Sequence, residues 1–230
     1  MARSLGAVFC LLMAVSCDRN NHHPQSHDAN RKSANHPSPI RSFVSFSQKS
    51  RDQLKNYQVI LKTSLGNLTL GFFPDVAPEH VRNFLRLCQM GFYDHTAWHR
   101  VVRNFVIQGG DMGSRNPPLQ MAESSGIRRL QPEFSKMKHV EGMVSMARGE
   151  ALDSAETSFF ICLAPQPVLD NKYTIFGKVV SGMEVVAKIS NVPLDGSKPR
   201  ERVELMGTEI LEVTPLKPER AAESGSPRLR

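Results

Sequence analysis

The segment W-H-R-V-V-R-N-F-V-I-Q-G-G-D-M, residues 98–112, is the most informative stretch of the chain. Its pattern predicts a strand over Trp98–Val102, a second strand over Val106–Gly109, and a turn at the glycine pair. Arg100 therefore lies at the start of an apolar strand, close to aromatic and amide side chains. Such an arginine is suited to holding a peptide by its backbone and to pressing a cation against an amide group.

Two further segments follow along the chain. One begins at Met143 and ends with S-A-E-T-S-F-F-I-C at residues 154–162, and the other reads V-L-D-N-K-Y-T-I-F-G-K at residues 168–178. In this order and spacing, the three segments resemble the cyclophilins, which are peptidyl-prolyl cis-trans isomerases, and the bacterial exported members most of all. The resemblance extends roughly from Tyr57 to Val213. It implies isomerase activity of class EC 5.2.1.8 on X-Pro bonds, assisting the folding of exported proteins.

The resemblance also assigns roles to individual residues. Arg100 stands at the position of the catalytic arginine, and its fixed, permanently charged donors suit stabilisation of a twisted amide. Gln108 is expected to hold the substrate carbonyl or to orient Arg100. Arg148 stands where the backbone of relatives pairs with an extended substrate. The remaining residues expected to bind substrate, most of them by lining a proline pocket, are Phe105, Val106, Ala147, Phe160, Leu169 and Tyr173.

The chemistry that these residues would perform needs no nucleophile, metal or other cofactor. Rotation about an X-Pro bond is slow because the amide has partial double-bond character, with a barrier of about 18–20 kcal/mol. A rate increase of about 10⁵ requires the barrier to fall by roughly 7 kcal/mol. The enzyme must bind the twisted amide more tightly than either planar form. A donor aimed at the prolyl nitrogen favours twisting, because the nitrogen lone pair then leaves conjugation.

Two positions depart from the cyclosporin-sensitive members of the family. Val168 stands in place of their tryptophan, and Tyr173 stands in place of their histidine. Valine offers neither the ring nor the indole N–H of tryptophan. The resemblance therefore implies that cyclosporin binds this chain weakly, although the pocket for proline is retained.

Hydrophobic periodicity predicts a mainly β fold. Alternating apolar residues predict a hairpin that begins at Tyr57, and the short strands that follow bring the expected number to about eight. One helix is predicted from Pro78 and another over Met183–Ile189. Many short strands with Gly and Pro turns favour a closed eight-stranded antiparallel β-barrel, with the two α-helices capping its ends. The cyclophilin resemblance implies the same fold.

Composition divides the chain into four parts. Residues 1–17 are a predicted leader, 18–52 a disordered polar linker containing histidines, 53–215 the isomerase domain and 216–230 a disordered tail. The net charge is +7, yet residues 57–215 contain 17 basic and 17 acidic side chains. The excess basic charge therefore lies in the ends, which argues against a nucleic-acid groove. A weak attraction of these ends to anionic lipid or polymer is the alternative function that they suggest.

The leader predicts export. One arginine precedes a mostly apolar run from Leu5 to Cys17, which as a helix reaches roughly 20 Å and is too short to span a bilayer. This pattern is typical of a secretory signal. The sequence A-V-S-C, ending at Cys17, also resembles a bacterial lipoprotein box, although alanine replaces the usual leucine. We therefore predict a cell-envelope or periplasmic protein anchored through acylated Cys17, with simple secretion as the alternative.

The remaining polar and thiol side chains suggest no further chemistry. Cys88 and Cys162 are expected on apolar faces of separate elements, which favours free thiols over a disulfide. The linker histidines lack cysteine ligands and regular spacing, so no metal site is predicted. We expect a monomer whose partners are proline-containing polypeptides, with no nucleic acid and no membrane contact beyond the anchor. The competing function from another class is a proline-binding module with little turnover, which would need the pocket but not Arg100.

Overall fold

The computed structural model describes residues 44–119, 124 and 126–213. The predicted leader with Cys17, most of the predicted linker and the tail lie outside these residues. No helix within the described residues is both long and apolar enough to cross a bilayer.

The fold begins with the predicted hairpin, β1 (Tyr57–Thr63) and β2 (Gly66–Phe72). Val59 and Leu61 alternate with more exposed residues along β1, and both are fully buried. Alternation of this kind places successive side chains on opposite faces of a sheet, so one face of the hairpin joins the core.

Within the described residues, seven further strands join this hairpin in one antiparallel sheet: β3 (Thr96–Ala97), β4 (Arg100–Val102), β5 (Val106–Gly109), β6 (Met143–Met146), β7 (Phe159–Cys162), β8 (Ile175–Ser181) and β11 (Glu204–Glu212). The nine strands lie in the order β3-β11-β1-β2-β8-β6-β7-β5-β4. A separate two-stranded ladder pairs β9 (Leu194–Asp195) with β10 (Lys198–Pro199).

The large sheet curls like a barrel but is not closed by hydrogen bonds. Its two edge strands, β3 and β4, are consecutive in the chain and are separated only by Trp98 and His99. The sheet must therefore bend until its edges approach each other. Among the described residues, however, β3 pairs only with β11 and β4 only with β5. The predicted mainly β fold is confirmed, whereas the closed eight-stranded barrel is corrected to a curled nine-stranded sheet.

Within the described ranges the sheet is accompanied by the short α-helices α1 (Arg51–Leu54), α2 (Pro78–Gln89) and α3 (Met183–Ser190). The two predicted helices correspond to α2 and α3. α2 begins with proline in its first turn, where the missing N–H costs nothing. Its buried face contains Val81, Phe84, Leu85 and Cys88. The described part of the chain also contains short 3₁₀ helices at Phe46–Gln48, Met112–Ser114 and Pro167–Leu169.

The packed domain extends further toward the N-terminus than the predicted boundary at residue 53. Phe46 is only 3% exposed and meets Tyr57 edge to face, with ring centroids 5.3 Å apart. Ser50 and Gln53 form a reciprocal capping box at the start of α1. These contacts place residues 46–52 in the fold, although the sequence around Phe46 is polar enough to read as linker.

Candidate active site

The register of the strands places four of the predicted site residues on one face of the sheet, namely Arg100, Val106, Gln108 and Phe160. Arg100 pairs with Gln108 across β4 and β5, and Gln108 pairs with Phe160 across β5 and β7. Directly paired residues of an antiparallel ladder share a face, so these three side chains form a row. Val106 and Cys162 form the next row on the same face, two residues along each strand.

The intervening residues belong to the opposite face. On the same three strands, Val101 pairs with Ile107, and Ile107 pairs with Ile161. All three side chains are buried in the main core. The row of Arg100 instead borders a small second apolar cluster, made of Val106, Phe160, Cys162 and Leu169. The sheet thus has two apolar faces, one for stability and one that forms the site.

A pocket of about 160 Å³ opens on this second face. All nine residues predicted to carry catalysis or to bind substrate line it, namely Arg100, Phe105, Val106, Gln108, Ala147, Arg148, Phe160, Leu169 and Tyr173. Val106, Phe160 and Leu169 are buried, whereas Phe105, Ala147 and Tyr173 are partly buried against them. The arrangement is an apolar, concave surface bordered by two partly buried arginines, Arg100 and Arg148.

Arg100 is held in place by a single side-chain contact among the described residues. Its Nη1 donates to Oε1 of Gln108 at 3.4 Å. The other N–H groups of the guanidinium have no hydrogen-bond partner within that part of the chain. Gln108 is therefore in a position to orient the cation, which is one of the two roles predicted for it.

Arg148 supports the opposite side of the pocket with its side chain. Its guanidinium carbon lies 5.0 Å from the centre of the Tyr173 ring, a favourable cation–π distance. Its Nε and Nη2 donate to the carbonyl oxygen of Lys172 at 3.2 and 3.1 Å, and Nη1 donates to the carbonyls of Gly149 and Glu150. Tyr173 in turn meets Phe160 edge to face at 5.5 Å. Arg148 therefore fixes Tyr173 rather than offering a free cation.

The turn that carries Phe105 is also fixed. Asn104 adopts a left-handed conformation with φ 59°, which asparagine tolerates better than most residues. Its carbonyl accepts from Nε2 of Gln166 at 2.7 Å. This bond joins the β4–β5 turn to the loop that presents Leu169, so it connects two walls of the pocket.

A buried polar network behind Phe160 was not predicted from the sequence. His139 is 2% exposed, and its ring stacks 6.2 Å from that of Phe160. Its Nδ1 lies 3.0 Å from Oδ1 of Asp170, and its Nε2 lies 3.0 Å from Oγ of Ser145. Burial lowers the pKa of His139, which favours the neutral ring with its proton on Nδ1. Nδ1–H then donates to Asp170, and the Ser145 hydroxyl donates to Nε2.

The hydrogen bonds connect Ser145 to His139 and His139 to Asp170, as in a hydrolytic triad. This network nevertheless supports the fold and does not form a catalytic site. Ser145 is fully buried, so no substrate can reach its hydroxyl. Hydrogen bonds from His139 and Lys138 hold the pKa of the Asp170 carboxyl well below its usual range. No sequence signal marks His139, because its partners lie 6 and 31 residues away.

Neither His99 nor the two cysteines line the pocket. Burial lowers the pKa of the His99 ring. Cys88 and Cys162 are both free and buried. Burial raises the pKa of Cys162 to about 12, so its thiol stays protonated next to the pocket.

The sequence as a whole matches one family. The sequence model described as "Cyclophilin type peptidyl-prolyl cis-trans isomerase/CLD" matches residues 58–210. The chain belongs to the cyclophilin family. It is a peptidyl-prolyl cis-trans isomerase, consistent with EC 5.2.1.8, as predicted from its motifs.

Relatives of this cyclophilin come from plants, amoebae and bacteria. It is 37% identical over 158 residues to a peptidyl-prolyl cis-trans isomerase of Arabidopsis thaliana, covering 67% of this chain and 94% of the relative. It is 38% identical over 156 residues to peptidyl-prolyl cis-trans isomerase A of Dickeya dadantii, covering 63% and 77% respectively. Because these relatives come from such different organisms, the expected similarity to exported bacterial members of the family stays a prediction.

A solved structure shares the fold of this cyclophilin. It is a Cryptosporidium parvum cyclophilin-type isomerase crystallised in the presence of the dipeptide Ala-Pro. The TM-score is 0.60 and the sequence identity 29%, over 67% of this chain and 98% of the crystallised one.

Proposed function

We propose that the pocket beside Arg100 is the isomerase site and that it acts on proline-containing segments of polypeptides. The main support for this proposal is that the nine residues with predicted roles line one pocket of about 160 Å³. The related structure obtained with Ala-Pro supports a substrate of this class. Val106, Phe160 and Leu169 hold the proline ring by apolar contact.

Arg100 supplies the catalytic interaction in this proposal. As the amide twists, the prolyl nitrogen becomes a better hydrogen-bond acceptor, and a guanidinium N–H aimed at it binds the twisted form more tightly than the planar forms. Arginine stays charged at any physiological pH, so the donor is always present. Gln108 keeps the guanidinium oriented before substrate arrives, which avoids reorganisation during rotation.

A matched pair of variants tests this assignment in a protease-coupled assay on a short X-Pro peptide. Arg100→Ala is expected to lower kcat/KM about 10²–10³-fold, the scale for loss of one preorganised donor. Arg103→Ala is the control, because Arg103 is exposed, does not line the pocket and, among the residues that the structure describes, donates only to the Val192 carbonyl. Equal activity of the two variants would reject Arg100 as the catalytic group. Binding of the peptide without turnover by the unaltered protein would favour the alternative, a proline-binding module.

We further propose that this cyclophilin is exported and assists folding of proteins in a bacterial cell envelope. The support is the leader, whose short apolar run ends at Cys17. Acylation there would anchor the protein, since several acyl chains hold a membrane more durably than one, at about 0.8 kcal/mol per buried methylene. The polar linker would then let the domain reach nearby clients.

Fractionation of a bacterial host tests the anchor. The unaltered protein is expected with the membranes, and Cys17→Ser is expected to release it or to leave it unprocessed. Globomycin should cause the precursor to accumulate. Recovery of the unaltered protein in the periplasm with an unmodified N-terminus would instead establish ordinary signal cleavage and secretion, and would leave the isomerase site unaffected.

A further inference from the structure

A second cleft, of about 460 Å³, opens beside α2 and shares no residue with the isomerase pocket. We call it the arginine cleft, after the charged residues that line it: Arg82, Arg86, Arg128, Arg129, Glu79 and Glu133. Four arginines against two glutamates leave a formal charge of +2 at a site within a domain of balanced charge.

Both carboxylates of the arginine cleft already have partners. Glu79 pairs with Nη1 of Arg82. Glu133 accepts from the backbone N–H groups of Glu79 and His80 at 3.2 and 3.0 Å, and its Oε2 lies 2.7 Å from Nδ1 of His80. Arg129 lies 3.5 Å from a carboxylate outside the cleft, that of Glu156. The carboxylates in and beside the cleft are therefore bonded to other partners. They do not neutralise the two remaining arginines, Arg86 and Arg128.

Arg86 and Arg128 both line the cleft, and neither has a counter-ion among the described residues. Within the same part of the chain, Arg86 donates only to neutral groups, the sulfur of Met90 at 3.5 Å and Oδ1 of Asn83 at 2.8 Å. Arg128 has no ion pair or hydrogen bond within the part of the chain that the structure describes. Burial first, and then the charge of Arg128, lower the pKa of Arg86, so the two cations repel each other.

The backbone fixes both sides of the cleft. Arg86 projects from α2. On the other side, buried Leu130 follows the two exposed arginines and pairs with Ala155, donating to its carbonyl at 2.9 Å. Nε of Arg82 is also buried without a hydrogen-bond partner. Guanidinium forks with unused donors match the two oxygens of a carboxylate or phosphate, and such charge-assisted hydrogen bonds are stronger than bonds between neutral groups.

We propose that the arginine cleft binds an oxyanion, a carboxylate or phosphate group carried by an acidic or phosphorylated peptide segment. The bound anion neutralises the repulsion between Arg86 and Arg128 and accepts from their free N–H groups. The cleft thus gives this cyclophilin a second, charge-selective contact with polypeptides, separate from the site that recognises proline.

Titration of the 230-residue chain with inorganic phosphate, at constant ionic strength against chloride, tests the proposal by NMR. Saturable shifts are expected at the side-chain and amide resonances of Arg86 and Arg128. Arg86→Gln and Arg128→Gln should each weaken binding about tenfold or more, as expected for a lost bond to a charged group. Lys188→Gln is the matched control, because it removes one positive charge from an exposed position of α3. Isomerase turnover checks that every variant is folded.

Two peptide arms distinguish the sources of the oxyanion. Tighter binding of a phosphoserine peptide than of a glutamate peptide would support the proposal and assign the cleft to phosphorylated segments. Equal binding of both would support it and assign the cleft to acidic segments in general. Shifts that grow linearly without saturation, or an equal loss of binding in the Lys188→Gln control, would overturn it and attribute the response to non-specific charge.

Discussion

At the scale of single residues, the role of each pocket residue depends on the face of the strand that it occupies. Arg100, Gln108 and Phe160 lie on the site face, whereas Val101, Ile107 and Ile161 lie in the core. A slip of one residue in the pairing of β5 would exchange the two sets. Burial of the apolar set therefore fixes the register, and the register places Arg100 beside Gln108.

Val168 governs the expected response to cyclosporin. It is 60% exposed and directly precedes Leu169 of the pocket, so a larger side chain fits there without disturbing the core. Val168→Trp is expected to strengthen inhibition of isomerase activity about tenfold, because an indole adds aromatic contact and one donor. Val180→Trp is the control, at another exposed valine. Nanomolar inhibition of the unaltered protein, or equal effects of both changes, would contradict this prediction.

At the scale of elements, the pocket depends on loops tied together by buried polar groups. His139 precedes β6, Asp170 follows the 3₁₀ turn that carries Leu169, and Ser145 lies within β6. The His139 ring joins the other two and stacks on Phe160. One side chain therefore links three segments next to Phe160 of the pocket.

The His139 network predicts acid sensitivity. Burial depresses the folded-state pKa of His139 below its unfolded value of about 6.5, so the unfolded chain binds that proton more readily. The stability that this group contributes is complete above about pH 6.5 and is lost as the pH falls below that value. The depressed pKa of Asp170 acts in the same direction, with loss beginning as the pH falls through about 4.

Urea unfolding of His139→Gln between pH 7 and pH 5 measures this contribution. The substitution is expected to lower the free energy of unfolding by about 1–3 kcal/mol at pH 7, because Asp170 and Ser145 lose buried partners. The difference from the unaltered protein should shrink toward pH 5. A difference that stays constant or grows with acidity would contradict the proposed state of His139.

Elements with clear periodicity could be predicted from the sequence, and those without it could not. β1, α2 and α3 follow repeating apolar patterns, and the nine site residues lie in contiguous motifs. β3, β9 and β10 contain two residues each, which is too short for any period to show. The His139 network depends on contacts between distant segments, so no local pattern reveals it.

At the scale of the whole molecule, the curled sheet separates stability from function. Its inner face packs the main core, in which the Phe84 ring lies 5.3 Å from Phe159 and 5.2 Å from Phe176. Its outer face forms the pocket on a small cluster of its own. Changes at the pocket rim should therefore alter catalysis more than the free energy of unfolding.

The central claim, that Arg100 stabilises the twisted amide, is tested most directly on the enzyme-bound peptide. Exchange NMR at saturating X-Pro peptide gives the rate of cis-trans interconversion on the enzyme separately from the dissociation constant. We predict that Arg100→Ala lowers the on-enzyme rate about 10²–10³-fold while the dissociation constant changes far less. An unchanged on-enzyme rate, with the loss confined to peptide affinity, would contradict the claim and make Arg100 a binding residue only.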